Sequence, residues 1–330
     1  MVASRFWIGG LALAGITAGL GSTAPAQDRA GRAQALLERA KEKRAQVSDP
    51  NPTAIAAAGT YRFQFTHDGL TRQYLVHVPA NAIGHSAPML LALHGGGGDM
   101  DYQAEHYGLI EKSDEAGFIA VFPNGSSRFR SGVFATWNAG ACCGQAVERK
   151  VDDVGFLKAV VARVSSQIAV DRTRIYATGM SNGAMMSYRL ACEASDLIRA
   201  IAPVAGTDNT TMCKASRPVP VIHFHARDDS HVLFNGGSGP DAMAKTDFAS
   251  VPATIARWVA FDRAAPQARS VVNVAGARCE LYAGPAPVEL CVTDTGGHSW
   301  PGTSPKRADK EPSRAIAAND LMWDFFSSLK

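Results

Sequence analysis

The sequence predicts an α/β protein in which helices cover both faces of a mostly parallel sheet. Short apolar runs of strand length alternate with longer stretches of helical length, and this alternation implies βαβ crossovers. The run Met-Leu-Leu-Ala-Leu at 89–93 has no polar position, which is typical of a strand buried on both faces. The other strands are predicted at 118–122, 174–178, 200–204, 219–224 and 288–292, and the helices at 101–116, 153–167, 183–192, 252–261 and 315–329.

An antiparallel hairpin is predicted before this alternation begins. Residues 61–65 and 74–78 each alternate apolar and polar side chains, and the sequence His-Asp-Gly at 67–69 supplies a turn between them. Stretches containing proline and glycine at 124–150 and 234–246 are expected to form long loops over one end of the sheet. Binding surfaces usually form on such loops.

Three segments are predicted along the chain. Residues 1–26 combine Arg5, an apolar run and small residues ending in Ala-Pro-Ala, which is the layout of a secretory signal peptide. Residues 27–53 mix both charges with few large apolar side chains and are predicted to be a charged helical or flexible linker. Residues 54–330 are predicted to form one large domain. We therefore expect a secreted or periplasmic protein with no stable membrane insertion after signal cleavage.

The composition suits a globular protein and excludes a disordered or fibrous one. Of 330 residues, 46% are hydrophobic and 19% charged, and the formal net charge of +3 gives no reason to expect a nucleic-acid partner. The six cysteines are expected to pair in an oxidising compartment. No metal or cofactor is predicted, because no CxxC pair with a matching second pair is present. The candidate disulfides are Cys192 with Cys213 and Cys279 with Cys291, while Cys142 and Cys143 bond either each other or different partners.

The strongest chemical signal is the pentapeptide Gly-Met-Ser-Asn-Gly at 179–183. It fits the pattern G-x-S-x-G, and it lies between a predicted strand and a predicted helix, as in the nucleophile elbow of the α/β-hydrolase fold. Such a turn exposes the Ser181 hydroxyl at a helix N-terminus, where the N–H of Asn182 can meet a developing oxyanion. Ser181 is therefore the predicted nucleophile.

A serine hydroxyl needs a general base, and in this fold the chain order is serine, then acid, then histidine. His298 follows the last predicted strand in a glycine-rich loop, which is the position expected of the base. His223 and His225 lie in an apolar strand, where packing is the more common role. The acid is expected at the end of that strand: Asp229 is the preferred residue, with Asp228 in reserve and Asp208 less favoured.

The third predicted strand ends in His94 and four glycines, where the fold places the other half of the oxyanion hole. We expect the N–H of Gly96 or Gly97 to act together with that of Asn182. A phosphate-binding loop is disfavoured because the Lys-Ser/Thr ending is missing. Aromatic side chains in predicted loops are candidates for the walls of a substrate pocket, namely Trp137, Phe234 and Trp300, with Phe134 beside them.

The chain resembles the extracellular esterase family that groups polyhydroxybutyrate depolymerases with feruloyl and acetylxylan esterases. The resemblance covers nearly all of the chain beyond residue 59 and implies the α/β-hydrolase fold with Ser181, Asp229 and His298 as a catalytic triad. The segments that carry it are LLALHGGGG at 90–98, WNAGACCG at 137–144, VDDVGFL at 151–157, RIYATGMSNGAMMSYRLACE at 174–193, the segment 229–237 and GGHSWPG at 296–302.

Taken with the resemblance, these residues predict a secreted serine carboxylesterase that resembles polyhydroxybutyrate depolymerases and hydrolyses esters through an acyl-enzyme on Ser181. Its partner is then a hydroxyalkanoate oligomer or polymer, or an esterified polysaccharide if the chain is instead a feruloyl or acetylxylan esterase. A more remote alternative is a surface binding protein without catalysis. Leu233 and Phe234 depart from the proline and tyrosine usual in the family, so the pocket wall is expected to differ, and the absence of an added binding module lowers the expectation of attack on crystalline polymer.

Overall fold

The computed structural model describes residues 53–242, 245–306 and 310–329. The predicted signal peptide at 1–26, and the predicted linker at 27–53 except for its last residue, lie outside the described residues. Within the described part of the chain, no helix combines the length and apolar character needed to cross a bilayer.

The described residues form a ten-stranded sheet whose order is β1-β2-β4-β3-β5-β6-β7-β10-β9-β8. The six central strands, which lie in the order β4, β3, β5, β6, β7 and β10, are parallel to one another. Strands β1 and β2 extend one edge and β9 and β8 the other, all in antiparallel pairing. This confirms the predicted mostly parallel sheet. The strands are β1 (Gly59–His67), β2 (Leu70–Val78), β3 (Ala87–Leu93), β4 (Ile119–Pro123), β5 (Val170–Met180), β6 (Ala200–Val204), β7 (Val221–Ala226), β8 (Arg269–Val274), β9 (Ala277–Tyr282) and β10 (Val288–Thr293).

Helices pack against both faces of the sheet and give the fold two apolar cores. Successive residues of β3 point to opposite faces, so Leu91 belongs to one core and Leu90 to the other. The core that contains Leu91 is covered by α4, α5 and α6, and the opposite core by α1, α2 and α7. The α-helices of the described residues are α1 (Met100–His106), α2 (Leu109–Ala116), α3 (Gly144–Glu148), α4 (Asp153–Gln167), α5 (Asn182–Glu193), α6 (Val251–Phe261) and α7 (Ala318–Ser328).

The N-terminal hairpin is confirmed. Strands β1 and β2 pair in antiparallel register, with Phe63 opposite Tyr74. The connection consists of Asp68 and Gly69, whose φ angles of 50° and 72° are both positive. Two consecutive positive φ angles match the right-handed twist of the paired strands, which is why the Asp-Gly sequence is a reliable hairpin signal.

One expectation about secondary structure is wrong, and one hairpin was not predicted. The helix predicted at 101–116 is divided into α1 and α2, because Gly108 between them adopts a φ of 65°, far from the negative φ of a continuous right-handed helix. The hairpin of β8 and β9 was not predicted. Residues of β8 are exposed on both faces, so the strand lacks the apolar and polar alternation that marks a half-buried strand.

All six cysteines are paired, and the two candidate long-range disulfides are confirmed. Cys192 at the end of α5 bonds Cys213, and Cys279 on β9 bonds Cys291 directly opposite on β10. Cys142 bonds Cys143, which realises one of the two alternatives left open.

Candidate active site

Ser181 occupies a sharp turn between β5 and α5. Its φ of 54° and ψ of −117° are unusual for a residue with a side chain, and its N–H donates to the carbonyl of Val204 at the end of β6. Such strained backbone persists only where surrounding contacts hold it in place, and it clusters at functional sites. The side chain is half-buried, so the hydroxyl is reachable.

Two glycines allow the turn to form. A Cβ on Gly179 would lie 2.6 Å from the carbonyl oxygen of Gly183, and a Cβ on Gly183 would lie 2.6 Å from the carbonyl oxygen of His94. Real Cβ atoms do not approach backbone so closely, so β5, α5 and the end of β3 meet here only because both positions lack side chains. The glycines of G-x-S-x-G are therefore required by packing.

Asp229 and His298 form a hydrogen-bonded pair. Asp229 lies just after β7 with 2% of its surface exposed, and its Oδ2 accepts the Nδ1–H of His298 at 2.8 Å. Its Oδ1 accepts the N–H groups of His231 and Val232 at 2.8 and 2.9 Å. Burial alone would raise the pKa of Asp229, but the charge and hydrogen bond of His298, together with His225 and the Val232 N–H, outweigh it and lower that pKa.

Asp228 does not contact the imidazole but anchors the loop that carries it. Its Oδ1 accepts the N–H of Gly297 at 2.8 Å, and its Oδ2 lies 3.0 Å from Nζ of Lys310. Asp208, the less favoured substitute, instead accepts from the indole of Trp258 at 3.0 Å. The structure thus separates the three candidate acids and brings only Asp229 to His298.

Backbone N–H groups beside Ser181 are available on two segments that line the same cavity, the start of α5 and the glycine run at 95–98. Asn182 is the first residue of α5, so its N–H has no acceptor within the helix. The N–H of Gly97 donates to Ala135 at 2.9 Å and that of Gly98 to Gly95 at 3.0 Å. Of the two glycines predicted from the sequence, Gly96 is therefore the one whose N–H is not already committed to another part of the described chain.

Ser181 and His298 line the same cavity, whose volume is about 430 Å³. One wall is the glycine run at 95–98, and the two loops predicted to cover this end of the sheet contribute part of the rest. The lining residues from these loops are Phe134, Thr136, Cys143, Gly144 and Ala242. No Lys, Arg, Asp or Glu is found among the described lining residues, so the cavity suits a neutral group. Its aromatic and apolar lining consists of Tyr102, Tyr107, Phe134, Met180, Met185, Val232, Ala242, Phe248 and Pro305.

The three aromatic residues predicted as pocket walls are placed elsewhere. Trp137 and Trp300 are both 0% exposed, and Phe234 lines a different cavity beside α6. Trp300 packs on Tyr107 with ring centroids 5.0 Å apart and donates its indole N–H to Asn319. Phe134, named with them from the sequence, does line the cavity and is 65% exposed.

Trp137 instead ties the glycine loop to α5, the helix that follows Ser181. The Oδ1 of Asn182 accepts the Trp137 N–H at 2.7 Å and its Nδ2 donates to the Trp137 carbonyl at 3.1 Å. The indole Nε1 donates to the carbonyl of His94 at 3.0 Å. Asp153 supports the next residue of the loop, because its buried carboxylate accepts the Asn138 N–H at 2.8 Å. These contacts join residues far apart in sequence, and no local pattern signals them.

His231 was also not predicted to belong to the site. Its ring stacks on that of His298 with centroids 4.6 Å apart and planes inclined by 16°. His231, His298 and Asp229 offer metal-ligating atoms within 4.8 Å of one another, but both Asp229 oxygens already accept N–H groups. Cys279, Cys291 and Glu289 are similarly close, but the two sulfurs form a disulfide and are not available as thiolate ligands.

His94 holds the glycine loop through both ring nitrogens. Nδ1 lies 2.8 Å from the carbonyl oxygen of Gly95, and Nε2 accepts the N–H of Gly125 at 2.9 Å. Burial lowers the pKa of His94 to about 4, opposed in part by the hydrogen bond to Gly95. The ring is therefore neutral at physiological pH, with its proton on Nδ1.

This buried neutral ring predicts a loss of stability in acid. Between pH 6.5 and about 4 the unfolded chain binds a proton at His94 and the folded chain does not, so the free energy of unfolding falls as the pH drops. The full effect is about 3 kcal/mol. We expect His94→Gln, which keeps an acceptor but cannot titrate, to lose that much less stability over this interval in denaturant titrations.

Comparing the wild type with His94→Gln separates the effect of His94 on stability from that of other groups that titrate in the same pH range. Burial raises the pKa values of Asp262 and Glu289 to about 7, so these two carboxyls favour the fold toward lower pH in both proteins. Parallel stability curves for the wild type and His94→Gln from pH 6.5 to 4 would contradict the prediction.

Comparison with known proteins places this site in a family. A sequence profile described as "Esterase PHB depolymerase" matches residues 72–259, which include Ser181 and Asp229 and end before His298. Feruloyl esterase B of Piromyces equi is 29% identical over 238 residues, which are 69% of this chain and 42% of that protein. The putative esterase NocK of Nocardia uniformis subsp. tsuyamanensis is 29% identical over 298 residues, which cover 81% of this chain and 84% of that protein.

Solved structures support the fold. The acetyl xylan esterase from Aspergillus awamori superimposes with a TM-score of 0.56 at 15% sequence identity, over 81% of this chain and 98% of that one. The mostly parallel sheet, the strained serine between β5 and α5 and the acid after β7 are the arrangement of the α/β-hydrolase fold. With the profile match over more than half of its length, this chain belongs to the esterase PHB depolymerase family.

Proposed function

We propose that the protein is a serine carboxylesterase with Ser181 as nucleophile, His298 as general base and Asp229 as the acid that orients the base. The observation that carries the proposal is that Ser181 and His298 line one cavity while Asp229, buried behind it, holds Nδ1 of His298 at 2.8 Å. This hydrogen bond leaves Nε2 of His298 as the proton acceptor.

The residues then divide the reaction into two steps. Nε2 of His298 takes the hydroxyl proton as Oγ of Ser181 attacks the ester carbonyl, and the N–H groups of Asn182 and Gly96 stabilise the negative charge on the carbonyl oxygen. The alcohol leaves with the proton from His298 and an acyl-enzyme remains. Water, activated by the same imidazole, hydrolyses that acyl-enzyme. Asp229 stabilises the imidazolium that forms in each step.

The cavity supports a substrate with a neutral acyl group. Hydroxyalkanoate esters fit the apolar lining, in keeping with the family to which the chain belongs. Esters of aromatic acids are the second candidate, because Tyr102, Tyr107, Phe134 and Phe248 present four aromatic rings to the cavity. The name of the Piromyces relative, a feruloyl esterase, points in the same direction.

We also propose that the enzyme works outside the cytoplasm, in the periplasm or the medium. The disulfides Cys192–Cys213 and Cys279–Cys291 support this, because such bonds persist in oxidising compartments. The predicted signal peptide at 1–26 is consistent with it.

Labelling with a fluorophosphonate tests the nucleophile. The reagent is expected to modify one peptide, at Ser181, as identified by mass spectrometry after digestion. Absence of labelling on folded protein would favour the alternative of a binding protein without catalysis. Denatured protein, in which the turn and the acid–base pair are lost, is the control and should not react.

A comparison of two products decides between the substrate classes. We expect release of 3-hydroxybutyrate from its soluble oligomers to have a higher kcat/KM than release of ferulate from methyl ferulate. The reverse ranking, sustained across substrate concentrations, would assign the enzyme to aromatic esters.

A further inference from the structure

A line of buried polar side chains lies behind Asp229. Tyr188 is on α5, His223 and His225 are on β7, and all three have at most 1% of their surface exposed. The Tyr188 hydroxyl lies 2.9 Å from Nδ1 of His223, and Nε2 of His223 lies 3.1 Å from Nδ1 of His225. Nε2 of His225 lies 2.8 Å from the carbonyl oxygen of Val232. We call Tyr188, His223 and His225 the histidine chain.

The hydrogen bonds of the histidine chain run in one direction. A carbonyl oxygen only accepts, so Nε2 of His225 carries a hydrogen. Burial lowers the pKa values of His223 and His225, so both rings are neutral and each has one bare nitrogen. Nδ1 of His225 therefore accepts from Nε2–H of His223, and Nδ1 of His223 accepts from the hydroxyl of Tyr188.

The histidine chain ends at Tyr188, whose hydroxyl stays protonated. Burial raises the pKa of Tyr188 well above 10, and the nearby charge of Asp208 acts in the same sense, so the hydroxyl keeps its proton. Asp208 itself is paired with Arg257 at 3.1 Å. The charged groups that face the other end of the chain are Asp229 and His298. Tyr188 therefore does not release its proton, and the histidine chain is suited to fix the positions of its side chains rather than to transfer protons.

At its outer end, the histidine chain lies next to Oδ2 of Asp229, the oxygen that orients His298 in the proposed function. Nε2 of His225 lies 3.4 Å from Oδ2 of Asp229, the atom that accepts the Nδ1–H of His298. Val232 links the same two residues, since its carbonyl accepts from His225 and its N–H donates to Oδ1 of Asp229. The Asp229 carboxylate is therefore bounded by His298 on one side and by His225 on the other.

We infer that His225 is a positioning residue for the Asp229 carboxylate. The Val232 carbonyl fixes the hydrogen of His225 on Nε2, and Tyr188 and His223 hold the ring in place from behind. The inference rests on the proposed function, because it assigns Asp229 the task of orienting His298. The Nε2–H of a neutral His225 donates to the Val232 carbonyl and presents the positive end of its dipole to Oδ2 of Asp229 at 3.4 Å without adding a cation, so the carboxylate keeps its charge for the imidazolium of His298.

The ring tautomers give a test that does not depend on activity. In protein with ¹⁵N-labelled histidine rings, we expect His223 and His225 to carry hydrogen on Nε2 alone at pH 7. Spectra of the His223→Gln and His225→Gln variants supply the assignments. A hydrogen on Nδ1 of either ring, or a doubly protonated ring at pH 7, would contradict the hydrogen-bond directions derived for the histidine chain.

Two substitutions at His225 test its effect on catalysis. His225→Gln keeps an amide N–H near the position of Nε2 and should retain most of kcat. His225→Leu removes the donor and should lower kcat by about tenfold or more with KM nearly unchanged, because displacement of a catalytic group is costly. The acid limb of its pH–rate profile should also move to higher pH, since Asp229, without the positive N–H dipole of His225 beside it, stabilises the imidazolium more strongly.

The same measurements separate this inference from the proposed function. Wild-type kcat and an unshifted acid limb in His225→Leu, alongside an inactive Ser181→Ala, would refute the positioning role and leave the triad standing. Activity in Ser181→Ala would instead refute the triad. Should His225→Leu fail to fold, Tyr188→Phe removes only the hydroxyl. It should leave the hydrogen of His223 on Nε2, where Nδ1 of His225 accepts it, and should shift the ¹⁵N resonance of Nδ1 of His223, which loses its donor. An unchanged Nδ1 resonance would contradict the hydrogen-bond directions of the histidine chain.

Discussion

Ser181→Ala is expected to lower kcat on a short p-nitrophenyl ester by about 10³-fold or more, because no other group lies at the position of attack. The substitution removes one oxygen atom and keeps the Cβ, so the strained turn, with its φ of 54°, is retained. The free energy of unfolding should therefore change by less than about 1 kcal/mol. Burst kinetics and a denaturant titration on the same preparation measure both quantities.

Ser166→Ala is the control for this substitution. Ser166 is exposed on α4, and its hydroxyl donates only to the carbonyl of Arg163 at 2.7 Å. It should retain wild-type kcat and remain labelled by the fluorophosphonate at Ser181. Turnover by Ser181→Ala at the wild-type rate would show that another residue is the nucleophile.

Asp229→Asn should lower kcat by about 10³- to 10⁴-fold, since an amide in place of the carboxylate neither fixes the Nδ1–H form of His298 nor stabilises its cation. Asp228→Asn offers a matched comparison one residue away. Its amide oxygen can still accept the Gly297 N–H, so only the ion pair with Lys310 is lost. We expect the kcat of Asp228→Asn to fall by less than about tenfold, because exposed ion pairs contribute little to stability.

Steady-state kinetics on both variants measure the difference, with circular dichroism to show that each is folded. Equal losses would mean that anchoring of the histidine loop matters as much as orientation of the ring. A larger loss in Asp228→Asn would transfer the role of the acid to that residue.

The parts of the site that could be predicted from sequence are those set by local backbone geometry. The turn around Ser181 depends on glycines two residues to either side, so a pentapeptide between a strand and a helix was enough to locate it. The end of β7 could be predicted in the same way, because an apolar run that stops at Arg227 marks where the acid loop begins. The end of the strand alone does not decide which of the two aspartates contacts His298, because that depends on the direction of each side chain. The preferred residue, Asp229, is the one that accepts the Nδ1–H of His298.

The walls of the cavity could not be predicted, because their exposure is decided by packing between distant segments. Trp137 and Trp300 lie in loops and are large and aromatic, yet both are buried by contacts with His94 and Tyr107. The choice of Gly96 over Gly97 depends on a single hydrogen bond to Ala135, which lies in a separate loop. The division of the helix at Gly108 follows from one backbone angle, a positive φ of 65° that a right-handed helix cannot continue through and that the sequence does not reveal.

The amide of Asn182 engages the Trp137 backbone as a neighbouring strand would, with one bond given and one received. This pair of hydrogen bonds fixes position 137 at the end of the segment that carries Phe134 and Thr136, which line the cavity. We expect that replacing these two side chains changes the acyl group that fits while Ser181 keeps its place. An insertion immediately before 137 would instead pull on the helix that begins at Asn182, so altered selectivity should be reached more readily by replacing residues here than by lengthening the loop.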